Sequence, residues 1–245
     1  ACVIRDITQQ RSREKAIFFK SFHDSLTGLY NRAYFEEEIN RLEKSRSVLP
    51  ISILMIDVNS LKFTNDAFGH EYGDALLKKI SVIISDNCRK SDVIARTGGD
   101  EFAIILPRSP IKEAEHLSGR IIKACAQSSY EDIFARPSVS IGCASKTDES
   151  TELRDVIKAA DEKMYKMKLD KRSVHLNTLV SDILLTMKTR SNESESHLKR
   201  CARLAENFCR KLNLSASTAE KIDKLARLHD IGKIRIPESI LSGKT

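Results

Sequence analysis

The run Ile51-Ser52-Ile53-Leu54-Met55-Ile56, entered through Pro50 and closed by Asp57, is the segment that most limits how this chain can fold. It is short and almost uniformly apolar, which reads as a buried strand rather than a surface helix. The strand ends on a carboxylate, a group seldom buried without a partner. A second pair of short apolar runs, Val93–Arg96 and Phe102–Leu106, flanks Gly98-Gly99. These read as a β-hairpin with Asp100 and Glu101 at or just past its turn.

Helical periods surround these strands. Phe35, Ile39 and Leu42 mark one helix between Asn31 and Arg46, and Leu76, Ile80, Ile83 and Ile84 mark a second. Ala114, Leu117, Ile121 and Ala124 mark a third; Leu153, Val156, Ile157, Ala160 and Met164 mark a fourth. A further strand covers Ser138–Ala144. The order helix, strand, helix, hairpin, helix, strand, helix predicts an α/β (α+β) sandwich with a mixed central sheet flanked by helices. From Arg172 onward the pattern is helical only. Leu176, Leu179, Val180, Ile183, Leu184 and Met187 form one stripe, and Leu198, Cys201, Leu204, Phe208 and Leu212 another. Ile222, Leu225 and Ala226 then lead into His229-Asp230.

Charge narrows the partners. A net charge of +7 suits a polyanionic ligand such as a nucleotide, yet basic and acidic residues are interspersed and no tryptophan is present. Nucleic acid is therefore not expected. No apolar run approaches the ~20 residues of a membrane helix, so this segment is expected to make no membrane contact. Six cysteines show no CxxC pair and read as reduced thiols of a cytoplasmic protein, mostly core fillers. A full-length protein could still reach a membrane through parts outside this sequence.

The chemistry concentrates where Asp57 meets the hairpin. Hard oxygen ligands on adjacent strand tips suit Mg²⁺, with Mn²⁺ as an alternative, and favour phosphate oxygens in the remaining positions. Gly98-Gly99 leaves room for a phosphate or ribose beside the backbone. Taken alone, Gly-Gly-Asp-Glu is equally a hairpin turn with solvated acids.

Its neighbours go further. Asp24-Ser25-Leu26-Thr27-Gly28-Leu29-Tyr30-Asn31-Arg32 stands upstream, and Asp57-Val58-Asn59-Ser60-Leu61-Lys62-Phe63-Thr64-Asn65-Asp66 leads to Gly69-His70 and Gly73-Asp74. Ala160-Asp161-Glu162-Lys163-Met164-Tyr165 leads on to Lys168 and Arg172. Together with Gly98–Phe102 these resemble the GGDEF family of diguanylate cyclases over roughly residues 20–174, in the family's order and spacing. The resemblance implies condensation of two GTP into cyclic di-GMP with loss of pyrophosphate. It implies a metal held by Asp57, the Val58 carbonyl, Asp100 and Glu101, with Asp100 and Glu101 catalytic. Substrate would be bound by Lys62, Asn65, Asp74, Lys168 and Arg172, with guanine read by Asn65 and Asp74. A homodimer is implied too, because one bound GTP cannot close the ring. The family commonly has an acid where this chain has Asn59 and an aromatic where it has Leu61.

Arg89-Lys90-Ser91-Asp92 matches by its offset the family's inhibitory product site, in which arginine forks grip the cyclic dinucleotide. Without that offset it would be a surface pair. Glu193, His197, His229 and Asp230 resemble the start of an HD-GYP phosphodiesterase metal site, whose later histidines and GYP stretch do not appear before Thr245. The expected organisation is therefore 1–20 as the end of an upstream domain, PAS-like, with a connecting helix around Ile17, Phe18 and Phe22. Residues 21–174 form the cyclase domain and 175–245 the helical start of an HD-GYP domain. An active cyclase is the leading reading. The alternative is a GTP- or product-binding module regulating an attached phosphodiesterase.

Overall fold

The computed structural model describes residues 21–45, 48–128, 136–170 and 195–230, with Gly232 and Ile236. The sequence expectations for residues 1–20, for the stripe from Leu176 to Met187, and for Arg172 and Glu193 lie outside these residues. In chain order the elements are β1 Tyr30–Asn31, α1 Arg32–Glu43, β2 Ile51–Val58, α2 Leu61–Phe68, α3 His70–Asn87, β3 Val93–Arg96, β4 Glu101–Leu106, α4 Ile111–Gln127, β5 Val139–Lys146, α5 Leu153–Asp170, α6 Glu195–Lys211 and α7 Ala216–Leu228. Two compact units result. One is built on the sheet; the other contains α2 with the turn after it, and α6 and α7.

The sheet has the order β1-β3-β4-β2-β5. β1 runs parallel to β3, and the other pairings are antiparallel, so the sheet is mixed, as expected. The sequence reading missed β1, whose two residues are too few to carry a period, and α2, whose sequence was read only as a motif. All eight residues of β2 are buried, in keeping with its almost uniformly apolar run.

Strand periodicity decides which way Asp57 points. Ile51, Ile53 and Met55 belong to a core cluster with Phe35, Ile39 and Leu42 of α1 and with Leu153, Val156, Ala160 and Met164 of α5. Asp57 shares their parity and so faces the same layer. On β4, Ala103 and Ile105 lie in that cluster, which puts Glu101 on this face as well. α4 packs against β5 and β2. Its buried stripe is Ala114, Leu117, Ile121 and Cys125, so Cys125 completes the face where the period suggested Ala124.

Gly142 sets how closely α5 sits on the sheet. A Cβ there would overlap the Ala160 carbonyl oxygen and the Met164 nitrogen, both rigid backbone. Glu43 fastens the other end of α5: it pairs with Lys146 and accepts from Leu153 N at 2.6 Å, inside the first turn.

In the second unit the apolar stripe of α6 does not form a core. Leu204, Phe208 and Leu212 are exposed, while Ala202 and Cys209 are buried, and Leu225 of α7 is exposed too. α7 begins at Ser215, whose hydroxyl accepts from Thr218 N.

One half-buried network ties the start of the domain to the hairpin. Asp24 accepts from Thr27 N at 2.9 Å, from Thr27 Oγ1 at 2.7 Å and from Arg96 at 3.2 Å. The Arg96 guanidinium also donates to the Gly99 carbonyl at 2.7 Å. Burial alone would raise the Asp24 carboxyl, but the Thr27 bonds and Arg96 hold it below its ordinary value of 3.8. Asp24→Ala leaves Arg96 without its acid and should cost about 2–3 kcal/mol at neutral pH. Because the folded value is depressed, this contribution is complete above the unfolded value and is lost as pH falls through the folded one. Urea unfolding of both proteins across a pH series should show their stabilities converging in acid. A constant gap would refute the charge-based account.

Candidate active site

Antiparallel register sets Asp57 directly opposite Glu101, with Ser140 on its other side. Like charges directly opposed across a ladder are destabilising, so this pairing works against the fold. Asp100 immediately precedes β4, and its carbonyl accepts from Val58 N at 2.8 Å, which joins the hairpin turn to the end of β2. Thr97 N and Gly98 N both donate to the Glu101 carbonyl. A Cβ on Gly98 would lie 2.7 Å from Glu101 Oε2, so this glycine lets the Glu101 side chain fold back over the turn. Gly99 faces open space.

Among the described residues, a lysine pairs directly with this acid cluster. Lys168 Nζ lies 2.6 Å from Asp57 Oδ2. Asp57 is buried, and among the described residues its buried Oδ1 has no hydrogen-bond partner. Burial raises the Asp57 carboxyl above its ordinary range; Lys168 opposes the shift, and Asp100 and Asp161 add to it. Glu101 is raised in the same way, by burial and then by Asp100, Asp161 and Asp57, with Lys168 opposing. Four acids acting on one another, with an orphaned buried carboxylate oxygen among them, fit a hard divalent cation.

Asp161 is the residue that sequence reasoning left without a role. It stands on α5 two turns before Lys168, so one helix carries both charges toward Asp57. No spacing rule marks it, because its relation to Asp57 comes from the packing of α5.

Asn59 also reads differently in three dimensions. It is buried, donates from Nδ2 to Ser138 Oγ at 3.0 Å and accepts from Ser140 Oγ at 2.9 Å. Its amide thus ties the end of β2 to β5, work for which a side-chain donor suits better than a second carboxylate.

Of the remaining expected substrate residues, Lys62 and Asn65 lie on α2 and Asp74 on α3. The Arg89–Asp92 motif forms a capped turn, with Arg89 N donating to Asp92 Oδ2 at 2.7 Å. A cleft beside it is lined by Arg89, Asp92, Glu113 and Arg120. The Arg89 guanidinium lies 3.3 Å from Glu113, and Arg120 bonds to Asn87. Glu113 and Arg120 come from α4 and were invisible as partners in the sequence. In the second unit, His197 lies on α6 and His229 caps α7, with Asp230 Oδ2 2.9 Å from His229 Nε2.

A family model described as diguanylate cyclase, GGDEF domain, matches residues 21–174. The chain belongs to the GGDEF family. A model of the HD domain matches residues 195–244. The diguanylate cyclase DgcM of Escherichia coli K12 is 32% identical over 174 residues, covering 70% of this chain. The chain spans 42% of that relative's length. Among solved structures, the coiled coil and GGDEF domain of DgcB from Caulobacter crescentus, in complex with c-di-GMP, gives a TM-score of 0.61 at 24% identity. That match covers 67% of this chain and 89% of that one. The GGDEF domain of DgcB, also with c-di-GMP, gives a TM-score of 0.56 at 26% identity, covering 69% and 92%. GGDEF cyclases use divalent metal, in keeping with the acid cluster around Asp57. Among the described residues, no helix is long and apolar enough to cross a membrane.

Removing the cation tests this balance. Lys168→Met leaves the buried Asp57 facing Glu101 unrelieved and should cost about 1–2 kcal/mol, the half-exposed lysine head limiting the figure. Added Mg²⁺ should narrow the difference in melting temperature from wild type. A deficit that Mg²⁺ leaves untouched would mean that Lys168 acts only by packing.

Proposed function

We propose that this chain is an active diguanylate cyclase that joins two GTP into cyclic di-GMP as a homodimer. The observation that carries the reading is Asp57: buried, opposite Glu101, with one oxygen paired to Lys168 and the other without a partner among the described residues. Asp57, the Val58 carbonyl, Asp100 and Glu101 would hold Mg²⁺, or Mn²⁺. When bound, the ion supplies charge neutralisation and alignment of the triphosphate. Lys168 with Arg172, and Lys62, neutralise phosphate oxygens, and Asn65 with Asp74 reads guanine. Each 3′-hydroxyl forms a bond to the α-phosphorus of the facing GTP. The α–β phosphoanhydride bond breaks, and pyrophosphate leaves with the electron pair. Each hydroxyl proton passes to a carboxylate, with Asp100 the assigned acceptor.

Asn59 does not weaken this reading, because its amide serves β5 and takes no charge from the acid cluster. Incubation with GTP and Mg²⁺ should release two pyrophosphates per cyclic dinucleotide. Asp100→Ala and Glu101→Ala should each lower turnover about 10²–10³-fold without loss of fold. GTP binding with no pyrophosphate release by the wild-type chain would instead support a regulatory module.

Product inhibition is assigned to Arg89 and Asp92. The Arg89–Glu113 pair is exposed on both sides, and such pairs are weak enough for a ligand to displace. Arg89→Ala should keep its initial rate and lose about tenfold or more in product affinity. Progress curves with added cyclic di-GMP decide this: equal slowing of both proteins would remove Arg89 from the inhibitory site.

A further inference from the structure

We propose that Met167 is an oxidation site, at which a peroxide forms a sulfoxide that loosens the hold of Lys168 on Asp57. Met167 lies on α5 and Ile141 on β5. The Ile141 N–H donates to the Met167 sulfur at 3.3 Å. Among the described strands β5 stands at one end of the sheet, so alternate backbone groups along it point away from β2. Side chains of α5 reach two of them. Lys163 donates to the Cys143 carbonyl at 2.9 Å, on the same edge as the Ile141 N–H. Lys163 and Met167 are one turn apart and share a face, and together they fasten α5 along the outer edge of β5.

The sulfur is reachable as well as bonded. Met167 is half-exposed, whereas Met55 and Met164 are 8% and 5% exposed. A thioether sulfur is polarisable and nucleophilic. One of its lone pairs attacks an oxygen of hydrogen peroxide, the O–O bond breaks, and hydroxide leaves with the electron pair. The proton on the transferred oxygen passes to that hydroxide, giving water. Sulfur is oxidised by two electrons and the peroxide takes up both. The flexible apolar side chain becomes a polar sulfoxide.

Its position gives the sulfoxide an effect. The new oxygen is a stronger acceptor than sulfur and needs about 2.9 Å of its own to an N–H. The sulfur, now 3.3 Å from the Ile141 nitrogen, must retreat to admit it. Both partners of this bond sit one residue from the acid cluster. Met167 precedes Lys168, whose ammonium is 2.6 Å from Asp57, and Ile141 follows Ser140, which lies opposite Asp57 on β2. The seating of Ala160 and Met164 against Gly142 holds α5 upstream, so the displacement falls on its last turn and draws Lys168 from Asp57.

The test is brief treatment with hydrogen peroxide, then with a thiol reductant that restores sulfenic acids and disulfides but not sulfoxides. Wild type and Met167→Leu are each compared with their own untreated sample. Peptide masses should show Met167 gaining one oxygen about tenfold faster than Met55 or Met164, in line with its exposure. Acylation by acetic anhydride then reads the Lys168 amine. In oxidised wild type Lys168 should label about threefold faster as its weak, half-exposed pair opens, with exposed Lys78 unchanged. Peroxide should leave the Lys168 rate of Met167→Leu as it was, and methionine sulfoxide reductases should return oxidised wild type to slow labelling. Neither measurement needs GTP, so failure here is separable from failure of the cyclase reading, on which only a consequence for turnover rests. Oxidation of Met167 no faster than of Met55, or equal labelling of Lys168 before and after it, would overturn the proposal.

Discussion

Asp57 and Glu101 repel each other, and antiparallel register gives them no means of separating. A one-residue slip of β4 against β2 would part them, but it would also turn Ala103 and Ile105 out of the core. The hydrophobic alternation of two strands therefore holds two carboxylates against their own electrostatics. Much of the surrounding architecture can be understood as a response to that enforced contact. α5 brings a lysine to Asp57, the Asp100 carbonyl ties the turn to β2, and Asn59 locks the end of β2 to β5. The residual imbalance is what a polyphosphate and its counter-ion can relieve.

How far the sequence revealed this depended on the range of each interaction. The strand ending at Asp57 and the hairpin around Gly98-Gly99 were legible because their patterns are local and strong. The mixed sheet followed from element order. Residues whose role comes from tertiary packing stayed hidden. Asp161's influence on Asp57, and the pairing of Lys168 with it, arise only because α5 lies on the sheet, although Lys168 itself was named from the sequence. Glu113 and Arg120 reach the Arg89 turn from another helix. Asn59 was read as a weakened acid, since nothing local signals two serines waiting on β5.

Gly142 has a consequence for how the acid site keeps its balance. Since the α5 backbone rests against a strand at a position with no side chain, the helix can neither approach further nor turn freely about its own axis. Asp161 and Lys168 ride on that one rigid rod, so their opposed effects on Asp57 are geared together. Any tilt of α5 changes repulsion and attraction in the same movement, and the resting charge of the site becomes a property of helix placement rather than of any single side chain.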